Sequence, residues 1–510
     1  MSERVSSRKL VYGLLGLTLV YSIVRSLIAA AGKGFWYDEL LTLAVSSQAS
    51  WKGILSALRA PLDGQPPFFY VIENLASHTT KNEEIGFRLP SILAVPFTLT
   101  CVFVCARKRS GQFIGLLSAL FLLMSAVFQS YAIEARPYSK VVACIAFAMV
   151  CYQNSPAPRW MVLLAISLVL AQSLHYLAFL SVVPFGLAEA NLLLVSRKFR
   201  WPVWTALVAG GFPLLLSWGL LRALRVYYGE HFWARFQFSF IPRVYGELLG
   251  TTSQIGAGIG ATALAGILGA AWLQWSARAA DPDAQKKVRE AVVLFSFSAL
   301  PFVGYVFASV THSGMTARYV LPSVIGLALA FGYIISQAKH GATLLFAVFV
   351  LSAVGVHELH FWQFSRSNIK EVQDSGIATE KFIQSAGHED LPVVVPNGLT
   401  LVRLVHYTFH ATPQRFVYLT QAPQTISTVD QEIELMKPYL RCRIVGLSEF
   451  VSTNSEFLLY TEDTDTPRDW LTLRLQREGW LLQTAAIDQS RSVYFVASKK
   501  HSFLQPTDRQ

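Results

Sequence analysis

Charge is scarce in this chain: Asp, Glu, Lys and Arg make up 15% of its 510 residues, where a soluble domain carries about 25%. Set beside 53% hydrophobic residues, that shortfall excludes an ordinary water-soluble globular protein. Cysteine is equally sparse. Of the five, Cys101, Cys105, Cys144 and Cys151 fall in or at the ends of apolar blocks, without metal-ligand neighbours, and Cys442 stands alone after residue 365. A C-terminal domain stapled by its own disulfide is excluded, and each thiol reads as a small apolar side chain. The part after residue 365 has no Gly-rich phosphate loop or Cys/His cluster, and internal repeats and low-complexity tracts are missing, which argues against a solenoid. No small-residue cleavage site closes the apolar run from Leu10 to Ala31. That run is expected to remain as a first helix.

Acidic residues are outnumbered 32 to 43 by Lys and Arg, for a formal net charge of +11. The excess does not mark a nucleic-acid binder, because the cations stand mostly beside the apolar blocks, where they orient a membrane protein. Those blocks have the length a helix needs to cross the hydrocarbon core, and about eleven spans are expected. They run over Leu10–Ala31, Leu89–Ala106, Phe113–Ala132, Tyr138–Tyr152, Trp160–Leu174, Leu177–Val195, Val203–Leu221, Thr252–Trp275, Ala291–Val310, Val320–Gln337 and Ala342–Phe361. With the N-terminus cytoplasmic, the loops on that side hold Arg107-Lys108-Arg109, Arg159, Arg197-Lys198 with Arg200, Lys286-Lys287 with Arg289, and Lys339. Every one obeys the positive-inside rule. An odd number of spans puts everything after Phe361 on the opposite face. The expectation is an integral protein of a bacterial inner membrane with an extracytoplasmic C-terminal domain.

Two segments depart from this pattern. The first outer loop, residues 32–88, contains Pro66-Pro67-Phe68-Phe69-Tyr70, too short to span and suited to a helix lying among headgroups. The segment Leu221–Glu247 places Arg222, Arg225, Arg235 and Arg243 on the outer side against Glu230 and Glu247, contrary to the rule. It is expected to serve anionic lipid. After Ser365 short β-rich runs (Val393–Val395, Phe416–Leu419, Phe457–Tyr460, Val493–Val496) alternate with helix-like stretches such as Asp430–Tyr439 and Trp470–Glu478. The division expected is a membrane domain over residues 1–364 and a small α/β domain over 365–510, accessory to acceptor choice or stability.

Ionisable residues collect at one level of this topology. Phe35-Trp36-Tyr37-Asp38-Glu39 follows the first span, and two adjacent carboxylates at a membrane surface are costly unless solvated, paired or used. Neighbours point different ways, so one of the two at most aims at a substrate. Gln129-Ser130-Tyr131-Ala132-Ile133-Glu134-Ala135-Arg136-Pro137-Tyr138 leads into the fourth span. His175-Tyr176 ends the fifth, and Thr316-Ala317-Arg318-Tyr319 opens the tenth. Singly, each reads as an interfacial anchor or a mutually neutralised pair. Their shared depth is what a membrane-surface active site requires.

In this order, the segments resemble the GT-C superfamily of lipid-phosphate-sugar glycosyltransferases. The likeness is greatest to the protein O-mannosyltransferase and lipid A aminoarabinose transferase group and to bacterial relatives of unassigned acceptor. It is carried by Trp36-Tyr37-Asp38-Glu39, by Gly64-Gln65-Pro66-Pro67 with its aromatic tail, by Phe87-Arg88-Leu89-Pro90-Ser91 and by Glu134-Ala135-Arg136-Pro137-Tyr138. Gln65 stands where many members have His, and Gln is neither an acid or base nor a good metal ligand. The resemblance implies a polytopic α-helical GT-C-like bundle and a polyprenyl-phosphate sugar donor.

On this reading Asp38 is the base for the acceptor hydroxyl, which displaces the carrier phosphate with inversion. Arg88, Arg136 and Arg318 stabilise the leaving phosphate, supported by Arg225 and Arg235. Glu39 and Glu134 orient these cations or hold a divalent metal, Mg or Mn. Tyr37, Gln65, Tyr138, His175 and Tyr176 contact the substrates. The acceptor is a lipid, glycan or protein. The competing classes are a glycolipid transporter or flippase and a glycan ligase using a diphosphate-linked donor. The first would need charges lining the span interiors, the second a large acceptor-facing loop.

Overall fold

The structure is a computed structural model. It describes residues 2–228, 237–276, 282–338, 340–408, 413–420, 433–440, 442–462 and 470–498. Arg235, Glu230, Lys339 and Asp430 lie outside the described residues. Packing divides the chain into two units, residues 1–33 with 45–366 and residues 34–44 with 367–510. The boundary near residue 365 is where the texture of the sequence changes. Residues 34–44, expected with the membrane domain, group with the C-terminal one.

The first unit is a helical bundle. Its helices are α1 (Ser2–Gly32), α2 (Tyr37–Ser46, begun in the other unit), α3 (Trp51–Arg59), α4 (Pro67–Ser77), α5 (Glu83–Ser110), α6 (Gln112–Leu122), α7 (Ala126–Ala132), α8 (Tyr138–Gln153) and α9 (Pro158–Leu174), with further helices to residue 366. Among the described residues five helices are long and apolar enough to cross a membrane: Arg8–Gly32, Glu83–Ser110, Tyr176–Ser196, Ser253–Leu273 and Gly341–Gln363. The shorter apolar helices Tyr138–Gln153, Pro158–Leu174 and Ser323–Ser336 fall on the fourth, fifth and tenth expected spans.

The third, seventh and ninth expected spans are not continuous helices. They break by 75° between α6 and α7, by 62° between Trp201–Leu216 and Trp218–Tyr228, and by 57° between Gln285–Ser298 and Leu300–Thr311. The cause is local. Ser125 accepts the Phe128 N–H and caps a new helix, and Pro301 stands at the start of the helix after the third break, where proline fits best. Helix α4 has 11 residues beginning at Pro67. At 1.5 Å per residue it reaches about 16 Å, half a hydrocarbon core.

Helix α5 is the hub, contacting α1, α4, α6, α8 and Ser323–Ser336. Its sequence is written for its length. Asn82 accepts the Ile85 N–H at its start, Glu83 and Glu84 occupy the positive end and Arg107-Lys108-Arg109 the negative end. Gly111, at φ 90°, stops it. Close helix contact elsewhere depends on Gly326, where a Cβ would lie 2.3 Å from the backbone nitrogen of Ser298.

The two ends of the bundle differ. At one end Arg107 donates to the Tyr12 hydroxyl, Lys108 to Asn154 at 2.6 Å, Arg109 to Glu290 at 3.4 Å, and Arg200 pairs with Glu189. This is where the sequence reading gathers its cytoplasmic cations. Between the ends, α1 is tied to the helix His340–Ser385. The Arg25 Nε meets Glu358 at 2.7 Å, Tyr21 donates to the same oxygen at 2.7 Å, and Trp362 donates to Tyr21 at 3.0 Å. The Arg25 guanidinium also covers the Phe361 ring at 3.3 Å.

The second unit carries a six-stranded sheet of order β3-β2-β1-β4-β6-β5. Its strands are β1 (Val393–Val394), β2 (Phe416–Thr420), β3 (Arg443–Gly446), β4 (Glu456–Glu462), β5 (Leu481–Ile487) and β6 (Arg491–Ala497). The first four run parallel; β6 is antiparallel to β4 and to β5. Strand β4 is buried from Phe457 to Thr461, as expected of a central strand covered on both faces. Val394, Val417, Leu419, Phe457 and Leu459 pack against Leu447, Phe450, Leu471 and Leu475 of two helices. The C-terminal runs singled out in the sequence are all strands; β3 and β5 are additional.

Candidate active site

The end of the bundle opposite Arg107 and Arg200 collects a second set of ionisable groups, most of them buried. The Arg136 guanidinium meets Asp63 at 2.8 Å and 3.5 Å, a two-pronged pairing for which Arg is shaped. Both residues are under a tenth exposed. Lys33 meets Glu134 at 2.7 Å, and Lys140 meets the fully buried Glu73 at 2.7 Å. Ser91 links these pairs: its hydroxyl accepts from Lys140 at 2.8 Å and donates to the Glu134 carbonyl at 2.6 Å. Arg88, fully buried, donates to the carbonyls of Ala30 (2.7 Å) and Lys33. It thereby satisfies carbonyls that the end of α1 leaves without helical partners.

Rings form the adjoining wall. Tyr138, His175 and Tyr319 pack with centroids 5.2 to 6.3 Å apart. Arg318 stands over Tyr138 at 5.6 Å and Tyr319 at 5.5 Å, within cation–π range. His175, in the turn between α9 and Tyr176, accepts the Leu177 N–H on Nδ1 at 3.0 Å. Its other nitrogen therefore carries the proton. Burial, then the charges of Arg136 and Arg318, hold its pKa down at about 3, so the ring is a neutral donor at physiological pH. In α4, burial and the nearby Asp63 carboxylate push the Tyr70 phenol well above its ordinary value; its oxygen accepts the Gln65 N–H at 3.3 Å.

The His175 shift fixes a stability prediction. Unfolded, the imidazole takes a proton below about pH 6.5; folded, it resists until about 3. Its contribution is therefore whole above 6.5 and is lost as pH falls toward 3. Melting curves in detergent should decline less steeply over that window in His175→Gln than in wild type. Parallel curves would refute the assignment.

The site residues anticipated from sequence separate into two groups. Arg88, Glu134, Arg136, Tyr138, His175 and Arg318 come together in the bundle. Gln65 and Tyr176 are buried in the same unit, and the Tyr176 carbonyl accepts from Gln172. Tyr37, Asp38 and Glu39 belong to the unit that includes the C-terminal domain. There Glu39, 1% exposed, accepts the Trp36 N–H at 3.3 Å and closes the start of α2. Asp38, beside it, is half-buried. Arg222 and Arg225 fall on helix Trp218–Tyr228, which buries none of its residues.

Lys33, Asp63, Glu73 and Lys140 escape sequence reasoning. Lys140 carried a usable signal, since an ionisable residue just inside an apolar block marks a site by default. Among the described residues no group of three or more His, Cys, Asp or Glu side chains is placed to hold a metal ion. Asp63, Glu73 and Glu134 each face a cation instead.

The fold is that of a polytopic helical membrane protein: a helical bundle with a small C-terminal α/β domain. Among solved structures, the chain is similar to ArnT from Cupriavidus metallidurans. Against the crystal structure of ArnT bound to undecaprenyl phosphate it has 13% identity and a TM-score of 0.57. Against that of the apo state the values are 14% and 0.58; in both cases 95% of this chain and 98% of the other are covered. No protein-family model and no curated protein sequence matches the chain.

Proposed function

We propose that this protein is a membrane glycosyltransferase that takes a sugar from a polyprenyl-phosphate-linked donor and passes it, with inversion, to an extracytoplasmic acceptor. The observation that carries the reading is the cationic cluster at one end of the bundle, with Arg88, Arg136 and Lys140 buried and Lys33 and Arg318 half-buried. Lys33, Arg88, Arg136, Lys140 and Arg318 stand there with Asp63, Glu73 and Glu134 while His175 is neutral. These named residues leave a positive excess, which suits a phosphate whose negative charge grows as it departs. Similarity to a fold crystallised with undecaprenyl phosphate supports the same class of carrier. The cations at the Arg107 end support a cytoplasmic N-terminus.

In the reaction, an acceptor hydroxyl attacks the anomeric carbon and its proton passes to the Asp38 carboxylate. The bond between the anomeric carbon and the phosphate oxygen breaks, and the carrier phosphate keeps the electron pair. Arg136 and Arg318 meet that charge, and the protonated nitrogen of His175 is a neutral donor beside them. Arg88 holds the end of α1, and Glu39 shapes the start of α2 next to the base.

Mass spectrometry of lipids, glycans and glycoproteins from cells with and without the gene tests this reading. One class should lose a single sugar mass, and the purified protein should bind undecaprenyl phosphate. Identical spectra in all three classes, with no carrier binding, would refute it.

A further inference from the structure

The segment that carries Asp38 is built into the C-terminal unit. Phe35 is 2% exposed, and its N–H donates to the Tyr407 hydroxyl at 2.7 Å. Its ring meets His406 edge-on at 5.7 Å. Tyr407 and His406 end the helix Gly398–Tyr407, and that helix is fixed at several points. Asn397 accepts the N–H groups of Leu399 and Thr400 at its start. Thr400 reaches Glu462 at 3.4 Å and Arg403 pairs with the same carboxylate at the end of β4. At the far end, the Thr408 N–H and hydroxyl both bond the Leu404 carbonyl, at 2.8 and 2.6 Å.

Support therefore runs from the central strand through one helix to Phe35, three residues before Asp38. The Trp36 carbonyl accepts from Glu39 and Leu40 at 2.9 and 3.0 Å, and the Thr42 hydroxyl bonds the Asp38 carbonyl at 3.0 Å. Nothing between Phe35 and α2 is a free linker. A shift at Tyr407 is passed to Asp38, and misplacing a reacting group by about 1 Å costs rate steeply.

We infer that the C-terminal unit positions the base, with Tyr407 as the positioning residue through which it does so. The inference rests on the reading of Asp38 as base and changes the part given to the C-terminal domain. An accessory domain for acceptor choice becomes a component that the chemical step requires.

The test uses the full-length protein in nanodiscs and Tyr407→Phe, which removes one hydroxyl and keeps the ring. Hydrogen exchange over residues 34–44 should accelerate about fivefold while the bundle's exchange and the melting temperature hold. Losing one hydrogen bond is worth a factor of about five in an equilibrium. Transfer of the sugar identified by the mass comparison should fall about five- to tenfold, with the affinity for undecaprenyl phosphate unchanged. In an Asp38→Asn background, Tyr407→Phe should cause no further loss, because both act at one step. Additive losses, or full transfer by Tyr407→Phe while Asp38→Asn is crippled, overturn the positioning role and leave the proposed function standing. Full transfer by Asp38→Asn overturns the reading of Asp38 as base on which the inference rests, whereas absence of any transferred sugar overturns the proposed function itself.

Discussion

Asp38→Asn should lower sugar transfer by about 100- to 10,000-fold, the range that general-base assistance supplies. The amide keeps the shape of the side chain and its capacity to hydrogen-bond, and removes only the ability to take a proton. Asp38 is half-buried at the start of α2, so the change should leave folding and membrane insertion close to normal. Affinity for undecaprenyl phosphate should also be kept, because the base acts on the acceptor. Glu39→Gln is expected to behave differently. Glu39 is buried against the Trp36 N–H, so its loss should lower thermal stability first and transfer through it. Wild-type turnover by Asp38→Asn beside a dead but stable Glu39→Gln would move the base by one residue.

Arg136→Gln should lower transfer about 100- to 1,000-fold, the scale of removing one donor from a developing anion. Binding of undecaprenyl phosphate should weaken about tenfold or more, since charge-assisted hydrogen bonds are worth about 1.5–3 kcal/mol. The companion variant separates this from a structural effect. Asp63→Asn removes the anion that Arg136 now faces at 2.8 Å, so the guanidinium should take carrier phosphate at least as tightly as before. If the pair were only part of the frame, breaking it from either side would cost about 3–5 kcal/mol of stability. Both variants would then melt early and neither would gain affinity. Unchanged carrier binding in a well-folded Arg136→Gln would remove Arg136 from the donor site.

The course of the backbone was legible because apolar length and flanking charge are local signals. The caps of α5, Asn82 and Gly111, can be read directly from the chain. The three broken spans were not, since hydropathy averages over the serine or proline that restarts a helix. Strand β3 escaped notice because Arg443-Ile444-Val445-Gly446 is short, and β5 because its residues are mostly exposed. At the site, sequence marks which residues can carry charge and not which meet. Glu134 and Arg136, two apart, read as a neutralising pair, yet each has its partner elsewhere, on Lys33 and Asp63. Those contacts span 101 and 73 positions, and no window along the chain reports them. The separation of Asp38 from the bundle's arginines into another packing unit was hidden for the same reason.

The Arg25–Glu358 pair has a consequence for how the protein is made. Its members are 333 positions apart, and Arg25 lies within the first apolar helix to enter the bilayer. At about 5–20 residues per second, roughly 17 to 67 s of synthesis separate the two. An unmatched arginine costs about 2.5–3.5 kcal/mol during insertion at a helix centre and less toward an end; Arg25 lies seven residues before the end of α1, so for that interval the first span stays in the membrane against a smaller electrostatic penalty. The neighbouring apolar residues and the insertion machinery must hold it until the helix that completes it is made. A nascent chain released before Glu358 emerges never receives that relief.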